Sequence, residues 1–195
     1  MWYKSNAMEA TNTREKIVEL ARDIIQRIGY HSFAYKQIAD KLGIRNASIH
    51  HYFPNKSDLA VAIIEKDQQD FQAMIKPLVA LSPTQRAEAL LQVYVGLFKN
   101  GRKLCVTSTF GMVFNDMDKK VQVAVKAHVE KVNKWVKDTF EQGARSGEFS
   151  FNGRSIDEVV ADWNAALAGS LAIGRMLGEA QFNRTISSLR KSLKD

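Results

Sequence analysis

Residues 35–54, YKQIADKLGIRNASIHHYFP, carry the most structural information in the chain. Their apolar spacing predicts two short helices, at about 35–42 and 46–53, joined by a tight turn. Gly43 suits this turn because glycine adopts positive φ without strain. Ala39 supplies the small side chain that is needed where the first helix touches the second. This combination of residues is typical of a helix-turn-helix.

The same stretch contains the apolar residues that such a motif needs for its small core. Ile49 is expected to insert from the second helix into the junction between the helices. Ile38, Leu42 and Ile44 complete the cluster. Two unrelated short core helices would not require all of these residues together, so the pattern favours the helix-turn-helix.

Residues 13–64 also resemble the DNA-binding domain of TetR-type regulators. The segment at the end of the second short helix distinguishes this family from other helix-turn-helix proteins. It is the sequence YFPNKSDL at residues 52–59. One departure is His50, which stands where the family most often has Tyr. The matching residues are Gly29, Tyr30, Ile38, Ala39, Leu42, Gly43, Ile44, Ala47, Ser48, Ile49, Tyr52, Phe53, Pro54, Asn55, Lys56, Ser57, Asp58 and Leu59.

The resemblance implies that the second short helix enters the major groove of double-stranded DNA. Arginine pairs well with guanine and asparagine with adenine, and a lysine neutralises a phosphate, so the residue types fit this role. The candidate DNA-binding residues are Tyr35, Lys36, Arg45, Asn46, Ala47, Ser48, His50, His51, Tyr52 and Lys56.

Helical periodicity continues through the remainder of the chain, and the predicted fold class is all-α. Residues 1–7 resemble the remnant of a purification tag. A three-helix, helix-turn-helix domain is expected at 8–55, followed by a helical ligand-binding and dimerisation domain at 56–195. Capping patterns at Ser82 and Ser155 predict two helix starts, and a further helix is expected at about 102–115.

Composition excludes several classes of protein. No apolar run is long enough to cross a bilayer, and no signal peptide is found, so a cytoplasmic protein is expected. The TetR-type resemblance implies that it is bacterial and associated with the nucleoid. The net charge of +7 permits nucleic-acid binding but is spread along the chain. No pattern of catalytic residues indicates an enzyme, and no cofactor is expected. Adjacent histidines at 50 and 51 point in different directions, which argues against a metal site.

Bulky side chains in the larger domain form a candidate ligand pocket, whose aromatic lining implies a largely apolar small molecule. The candidate pocket residues are Phe71, Phe98, Met112, Trp135 and Trp163. Small residues between Ala165 and Gly174 fit either a helix–helix interface or a tightly packed interior. His128 is expected in the core, and a ligand contact is the alternative. Cys105 is interpreted as a buried, inert thiol, and a sensing role remains the alternative.

These observations predict a homodimeric transcriptional regulator that binds a palindromic operator and is released by a small-molecule effector. The alternative is a DNA-bound protein of the same fold that acts through a protein partner. A pocket in the larger domain would favour the first hypothesis, and a filled core with an exposed apolar patch would favour the second.

Overall fold

The structure is a computed structural model that describes residues 2–194, with side chains described from Asn12 to Lys194. The tag remnant predicted at 1–7 lies outside the residues whose side chains are described. Residues 2–194 contain helices and no β-strand, so the all-α prediction is confirmed. The nine α-helices of this part of the chain are α1 (Trp2–Ile28), α2 (Tyr35–Leu42), α3 (Asn46–Tyr52), α4 (Lys56–Ile75), α5 (Pro83–Lys99), α6 (Val106–Gly111), α7 (Lys119–Ser146), α8 (Ile156–Leu177) and α9 (Glu179–Lys191).

Local capping explains where α5 and α8 begin. The Ser82 hydroxyl accepts a hydrogen bond from the Gln85 N–H (3.3 Å), and the Gln85 side chain accepts one from the Ser82 N–H (3.0 Å). Ser155 and Glu158 form the same reciprocal pair at the start of α8. Each pair satisfies backbone N–H groups that the first helical turn leaves without partners. Both predicted helix starts are confirmed.

The helix predicted at about 102–115 is shorter in the structure, where α6 covers only Val106–Gly111. Arg102 has a φ of 54°, which is not helical. The Lys103 N–H then donates to the Leu97 carbonyl (3.0 Å), and the Leu104 N–H donates to the Gln26 carbonyl of α1 (3.0 Å). Hydrogen bonds to other elements therefore keep this segment out of the helix.

Two clusters of buried apolar residues hold the helices together. The first cluster joins α1–α4 to α6 and the N-terminal part of α7, where Phe110 and Val121 are fully buried. The second cluster joins α5, α7, α8 and α9 around Trp163 and Phe140. The core of the N-terminal helices is therefore continuous with parts of the larger domain, and the division at residue 55 stays a prediction.

Candidate nucleic-acid interface and neighbouring cavity

The turn between α2 and α3 has the geometry of a helix-turn-helix. Gly43 adopts a left-handed conformation with a φ of 65° and ends α2. The Ile44 N–H donates to the Ala39 carbonyl (3.1 Å), which closes the turn. Ile38 and Ile49 are fully buried, with Ala39 nearly so, and they fill the junction between the helices. The predicted helix-turn-helix is confirmed, together with its predicted core.

The outer face of α3 presents polar side chains to solvent. Arg45 immediately precedes the helix in an extended conformation, and its carbonyl accepts a hydrogen bond from the Ser48 N–H (2.9 Å). Arg45, Asn46, Ala47 and His50 are exposed, whereas Ser48 is half-buried. Within residues 12–194, the side chains of Arg45 and Asn46 have no hydrogen-bond partner. Both are therefore free to meet a base edge or a phosphate.

Tyr35 does not belong to this exposed surface, although the sequence placed it among the candidate DNA contacts. Its side chain is buried, and its hydroxyl donates to the Phe53 carbonyl at 2.9 Å. Burial, together with the nearby charge of Asp58, raises the pKa of Tyr35 to about 12. The hydroxyl connects α2 to the end of α3. Tyr35 therefore positions α3, and its buried side chain is not available for contact with DNA.

The remaining candidates are divided between exposed and partly occupied positions. Lys36, at the start of α2, and His51 are exposed, and Tyr52 is half-buried. The ammonium group of Lys56 lies 4.8 Å from the centre of the Tyr30 ring and donates to the His31 carbonyl (3.3 Å). Desolvation lowers the pKa of Lys56. Part of its role is consequently to brace the loop after α1.

A cavity of about 530 Å³ lies beside α1, on the side of the larger domain. Six helices and the segment before α6 contribute to its walls. The lining residues are Arg22, Gln26, Asp67, Asp70, Phe71, Met74, Leu90, Val93, Tyr94, Leu97, Cys105, Val106, Thr107, Ser108, His128, Val129, Val132, Asn133, Asn164 and Ala168.

Of the five predicted pocket residues, only Phe71 lines this cavity. Phe98 stacks on Phe182 with ring centres 4.1 Å apart. Trp163 is buried in the second cluster, and its indole N–H donates to the Leu189 carbonyl (3.2 Å). Trp135 meets the outer edge of Phe71, with ring centres 5.9 Å apart.

Met112, the fifth predicted pocket residue, points away from the interior and is 68% exposed. Size and apolarity selected these five side chains, but most large apolar residues in a helical protein fill the core. Four of the five predicted pocket residues are therefore wrong, and the cavity is lined instead by other residues of α1 and α4 to α8.

Four charged or titratable residues form one corner of the cavity. Sequence reasoning missed three of them and assigned the fourth, His128, to the core. We call Arg22, Asp67, Asp70 and His128 the polar corner. Arg22 donates to both carboxylates, at 2.5 Å to each. His128 Nε2 lies 3.1 Å from the second oxygen of Asp67. The polar corner thereby joins α1 to α4 and α7. The only sign of this polar corner in the sequence was the presence of single polar residues on largely apolar helix faces.

Burial alone would raise the pKa of Asp70, but hydrogen bonds from Lys66 and Arg22 outweigh it and hold the pKa below its ordinary value. His128 lies in the core, as expected, with its side chain 3% exposed. Among the described residues, no group of three or more His, Cys, Asp or Glu side chains could hold a metal ion.

Cys105 lies just before α6 and forms part of the cavity wall. Its sulfur is 2.8 Å from the Ser108 hydroxyl and 3.4 Å from the Thr107 hydroxyl, and it accepts a hydrogen bond from the Ser108 N–H. These contacts give the thiol a structural role at the start of a short helix. Within residues 2–194, no helix has the length and apolar character that crossing a membrane requires.

Comparison with known proteins gives the same assignment for the N-terminal region. Residues 17–63 match the model of bacterial regulatory proteins of the tetR family. The HTH-type transcriptional regulator UidR of Escherichia coli K12 is 38% identical over 61 residues, which are 31% of each chain. A regulator from Staphylococcus aureus, SAB2452, is 29% identical over 70 residues, which are 36% of this chain and 38% of that one. The match spans about a third of the length of these curated relatives.

Similarity to solved structures extends over most of the chain. A TetR-family transcriptional regulator from Agrobacterium tumefaciens has a TM-score of 0.87 and 26% identity, covering 95% of this chain and all of that one. Residues 17–63 therefore form a TetR-type DNA-binding region, and the chain shares its fold with TetR-family regulators. A TetR regulator from Legionella pneumophila, at 24% identity, shares the fold with a TM-score of 0.83 over 93% of this chain and 97% of its own. The TetR-type resemblance of residues 13–64 is confirmed.

Proposed function

We propose that this TetR-type protein is a sequence-specific, DNA-binding transcriptional regulator, a repressor that a small molecule releases from a palindromic operator. The exposed polar face at α3 is the observation that carries the proposal. An arginine and an asparagine with unpaired side chains stand at the start of a helix of the kind that enters the major groove. Residues 8–55 would form the DNA-binding domain.

The position of the cavity supports control by a small molecule. Its walls include Arg22 and Gln26 of α1, which belongs to the DNA-binding end, and Asp67 and Phe71 of α4. A ligand that moved these helices would tilt α3 through the shared hydrophobic cluster. A coupling free energy of about 1 to 3 kcal/mol lowers DNA affinity roughly 5- to 150-fold. A cavity of this size also favours a ligand over the alternative of a protein partner.

A homodimer would read two half-sites about 34 to 36 Å apart, one helical turn of DNA. Because α4 connects the DNA-binding end directly to the larger domain, a shift of a few ångströms in α4 would change this separation. The two α3 helices would then no longer fit adjacent major grooves together.

The test is selection from random double-stranded DNA by the purified full chain, followed by sequencing of the bound fragments. We expect enrichment of a palindrome with half-sites one turn apart. The variant in which both Arg45 and Asn46 are replaced by alanine should lose that enrichment, whereas Arg184→Ala, an exposed change on α9, should keep it. Recovery of unenriched sequence by the unaltered chain would contradict the proposal.

A further inference from the structure

Two buried nitrogen atoms of the polar corner have no hydrogen-bond partner among the described residues. They are Arg22 Nε and His128 Nδ1. Both side chains line the cavity. Buried polar atoms in proteins are nearly always paired, so two unpaired ones on residues of the same cavity wall need an explanation. A ligand group that pairs with them supplies one.

The chemistry of each atom defines what that group must offer. Arg22 Nε–H is a donor only and therefore needs an acceptor. His128 Nε2 faces an oxygen of Asp67 at 3.1 Å, and this contact places the hydrogen on Nε2 when the ring is neutral. Nδ1 of that ring is then an acceptor and needs a donor. The polar corner thus contains one unpaired donor and one unpaired acceptor, on two residues that line the same cavity.

Charged groups fit this corner poorly. The Arg22 guanidinium already contacts Asp67 and Asp70 at 2.5 Å. An anionic head group would lie beside these two carboxylates and would bring no proton for His128 Nδ1. An ammonium group has no lone pair with which to accept from Arg22 Nε. A hydroxyl group both donates and accepts and carries no charge.

The rest of the cavity is mostly apolar, with walls that include Phe71, Met74, Leu97 and Val132. The other polar side chains in its walls are those of Gln26, Tyr94, Thr107, Ser108, Asn133 and Asn164. Its volume is about 530 Å³. An apolar cavity of roughly 150 Å³ accommodates benzene, so this one has room for a system of two or three rings. Burying such a body against apolar walls is favourable in proportion to the area removed from water.

We propose that the cavity binds a neutral aromatic alcohol or phenol of two or three rings. Its hydroxyl accepts from Arg22 Nε–H and donates to His128 Nδ1, and its rings fill the apolar part of the cavity. This inference rests on the proposed function and deepens it by naming the class of effector. It also places the hydroxyl against α1, the helix that belongs to the DNA-binding end.

Equilibrium dialysis of the full chain at pH 7 against four probes with the same ring system tests the hydroxyl. The probes are 2-naphthol, naphthalene, 2-naphthoate and 2-naphthylmethylammonium. We expect 2-naphthol to bind at least about tenfold more tightly than each of the others, since a factor of ten is the effect of about one hydrogen bond. Equal affinities, tightest binding of a charged probe, or no binding at millimolar concentration would each overturn the inference.

Two variants locate the hydroxyl. His128→Phe removes the acceptor, and the preference for 2-naphthol over naphthalene should fall to about threefold or less. His31→Phe makes the same replacement at an exposed histidine outside the cavity and should leave the preference intact. If His128→Phe does not fold, as judged by circular dichroism, Arg22→Lys removes Nε–H while keeping a cation beside the two carboxylates. A preference that survives loss of either group would also overturn the assignment.

The DNA selection described above separates the two proposals. If the chain selects DNA but does not prefer 2-naphthol, only the effector class is wrong. If it prefers 2-naphthol but selects no DNA, the regulatory function is wrong and the cavity assignment stands.

Discussion

Gly143, in the last turns of α7, is enclosed more tightly than any ordinary side chain would allow. A Cβ atom at this position would lie 2.1 Å from Cδ2 of Phe149, which is buried and packs edge-on against Phe140. Gly143→Ala should therefore lower the free energy of unfolding by about 1 to 3 kcal/mol, the usual effect of overpacking a core. Chemical denaturation measures this change.

Gly96 on α5 provides the matched control, since a Cβ there would meet nothing within 4 Å. Gly96→Ala should be neutral, or stabilising by roughly 0.5 to 1 kcal/mol, because alanine loses less conformational freedom in a helix than glycine does. Equal stability of the Gly143→Ala and Gly96→Ala variants would show that Phe149 does not pack as described.

Single polar residues of the DNA-binding face should differ in what they contribute. Arg45→Ala or Asn46→Ala should weaken operator binding by about 1 to 3 kcal/mol and relax the preference at one base position. Lys36→Ala, at an exposed position, should weaken binding to all sequences alike and reduce the salt slope by about one unit. Fluorescence anisotropy on operator and scrambled duplexes at several salt concentrations measures both effects. Identical losses on both duplexes for Arg45 would contradict base contact.

At the scale of elements, one arginine joins the end of α8 to the end of α1. Arg175 donates to the carbonyls of Gln26 (2.9 Å), Arg27 (3.3 Å) and Arg102 (2.9 Å). Burial and the positive charge of Arg27 lower the pKa of Arg175. A cation suits the C-terminal end of α1, where carbonyl groups lack helical partners and the helix dipole is negative. The contact therefore connects the DNA-binding end to the larger domain.

Arg175→Met keeps much of the side-chain volume but removes all three hydrogen bonds. We expect a loss of about 1 to 3 kcal/mol in the free energy of unfolding, since three hydrogen bonds from a charged donor are lost. Hydrogen exchange of backbone amides should also accelerate in the segment before α6, where the Leu104 N–H bonds to the Gln26 carbonyl. Arg184→Met, an exposed change on α9, serves as the control. An unchanged exchange pattern in Arg175→Met would mean that the joint does not depend on this residue.

At the scale of the whole molecule, several ion pairs between helices respond to acid. A hydrogen bond from Lys120 of α7 is the main cause that lowers the pKa of Asp58 on α4. A hydrogen bond from Arg190 of α9 does the same for Glu88 on α5. Each carboxylate titrates below its ordinary value in the folded chain, so its ionised form stabilises the fold.

This stabilisation is complete above the ordinary carboxyl range near pH 4 and is lost as the pH falls through the lowered pKa values. The midpoint of urea unfolding should therefore stay level from pH 6 to about pH 5 and decrease from there to pH 3. Glu88→Gln should reduce the slope, whereas Glu130→Gln, at an exposed residue without an ion pair among residues 12–194, should not. A midpoint independent of pH in this range would contradict the role of the ion pairs.

Assembly is the other property of the whole molecule that can be measured directly. The sequence predicts that helices at about 121–143 and 155–177 pair with their two-fold mates in a four-helix bundle. Gly169 and Gly174 both belong to the small-residue stretch, but a Cβ at Gly174 would lie 2.8 Å from Cβ of Phe182, whereas one at Gly169 would meet nothing within 4 Å. Only Gly169 can therefore report on an interface without disturbing the protomer.

We expect a dimer at micromolar concentration in multi-angle light scattering, and Gly169→Leu should raise the dissociation constant while the unfolding midpoint stays nearly unchanged. Gly174→Leu should instead destabilise the protomer itself. A monomeric unaltered chain would contradict the predicted bundle, and a fully dimeric Gly169→Leu would move the interface elsewhere.

The sequence by itself determined the features that depend on neighbouring residues. The helix-turn-helix was predictable because Ala39, Gly43 and Ile49 meet their steric requirements within one short segment. The starts of α5 and α8 were predictable because Ser82 and Ser155 bond to residues only three positions away. Local geometry and hydrogen bonding suffice for such features, and tertiary packing did not alter them.

Only the tertiary structure decided which side chains face DNA, the core or the cavity. The Tyr35 hydroxyl bonds to a carbonyl 18 residues away, and the Leu104 N–H bonds to a carbonyl of α1 instead of continuing a helix. The polar corner unites Arg22 and His128, which no periodicity in the sequence relates. Burial and the pairing of polar groups depend on how distant helices pack, because a buried hydrogen bond is made with whichever element the fold brings near.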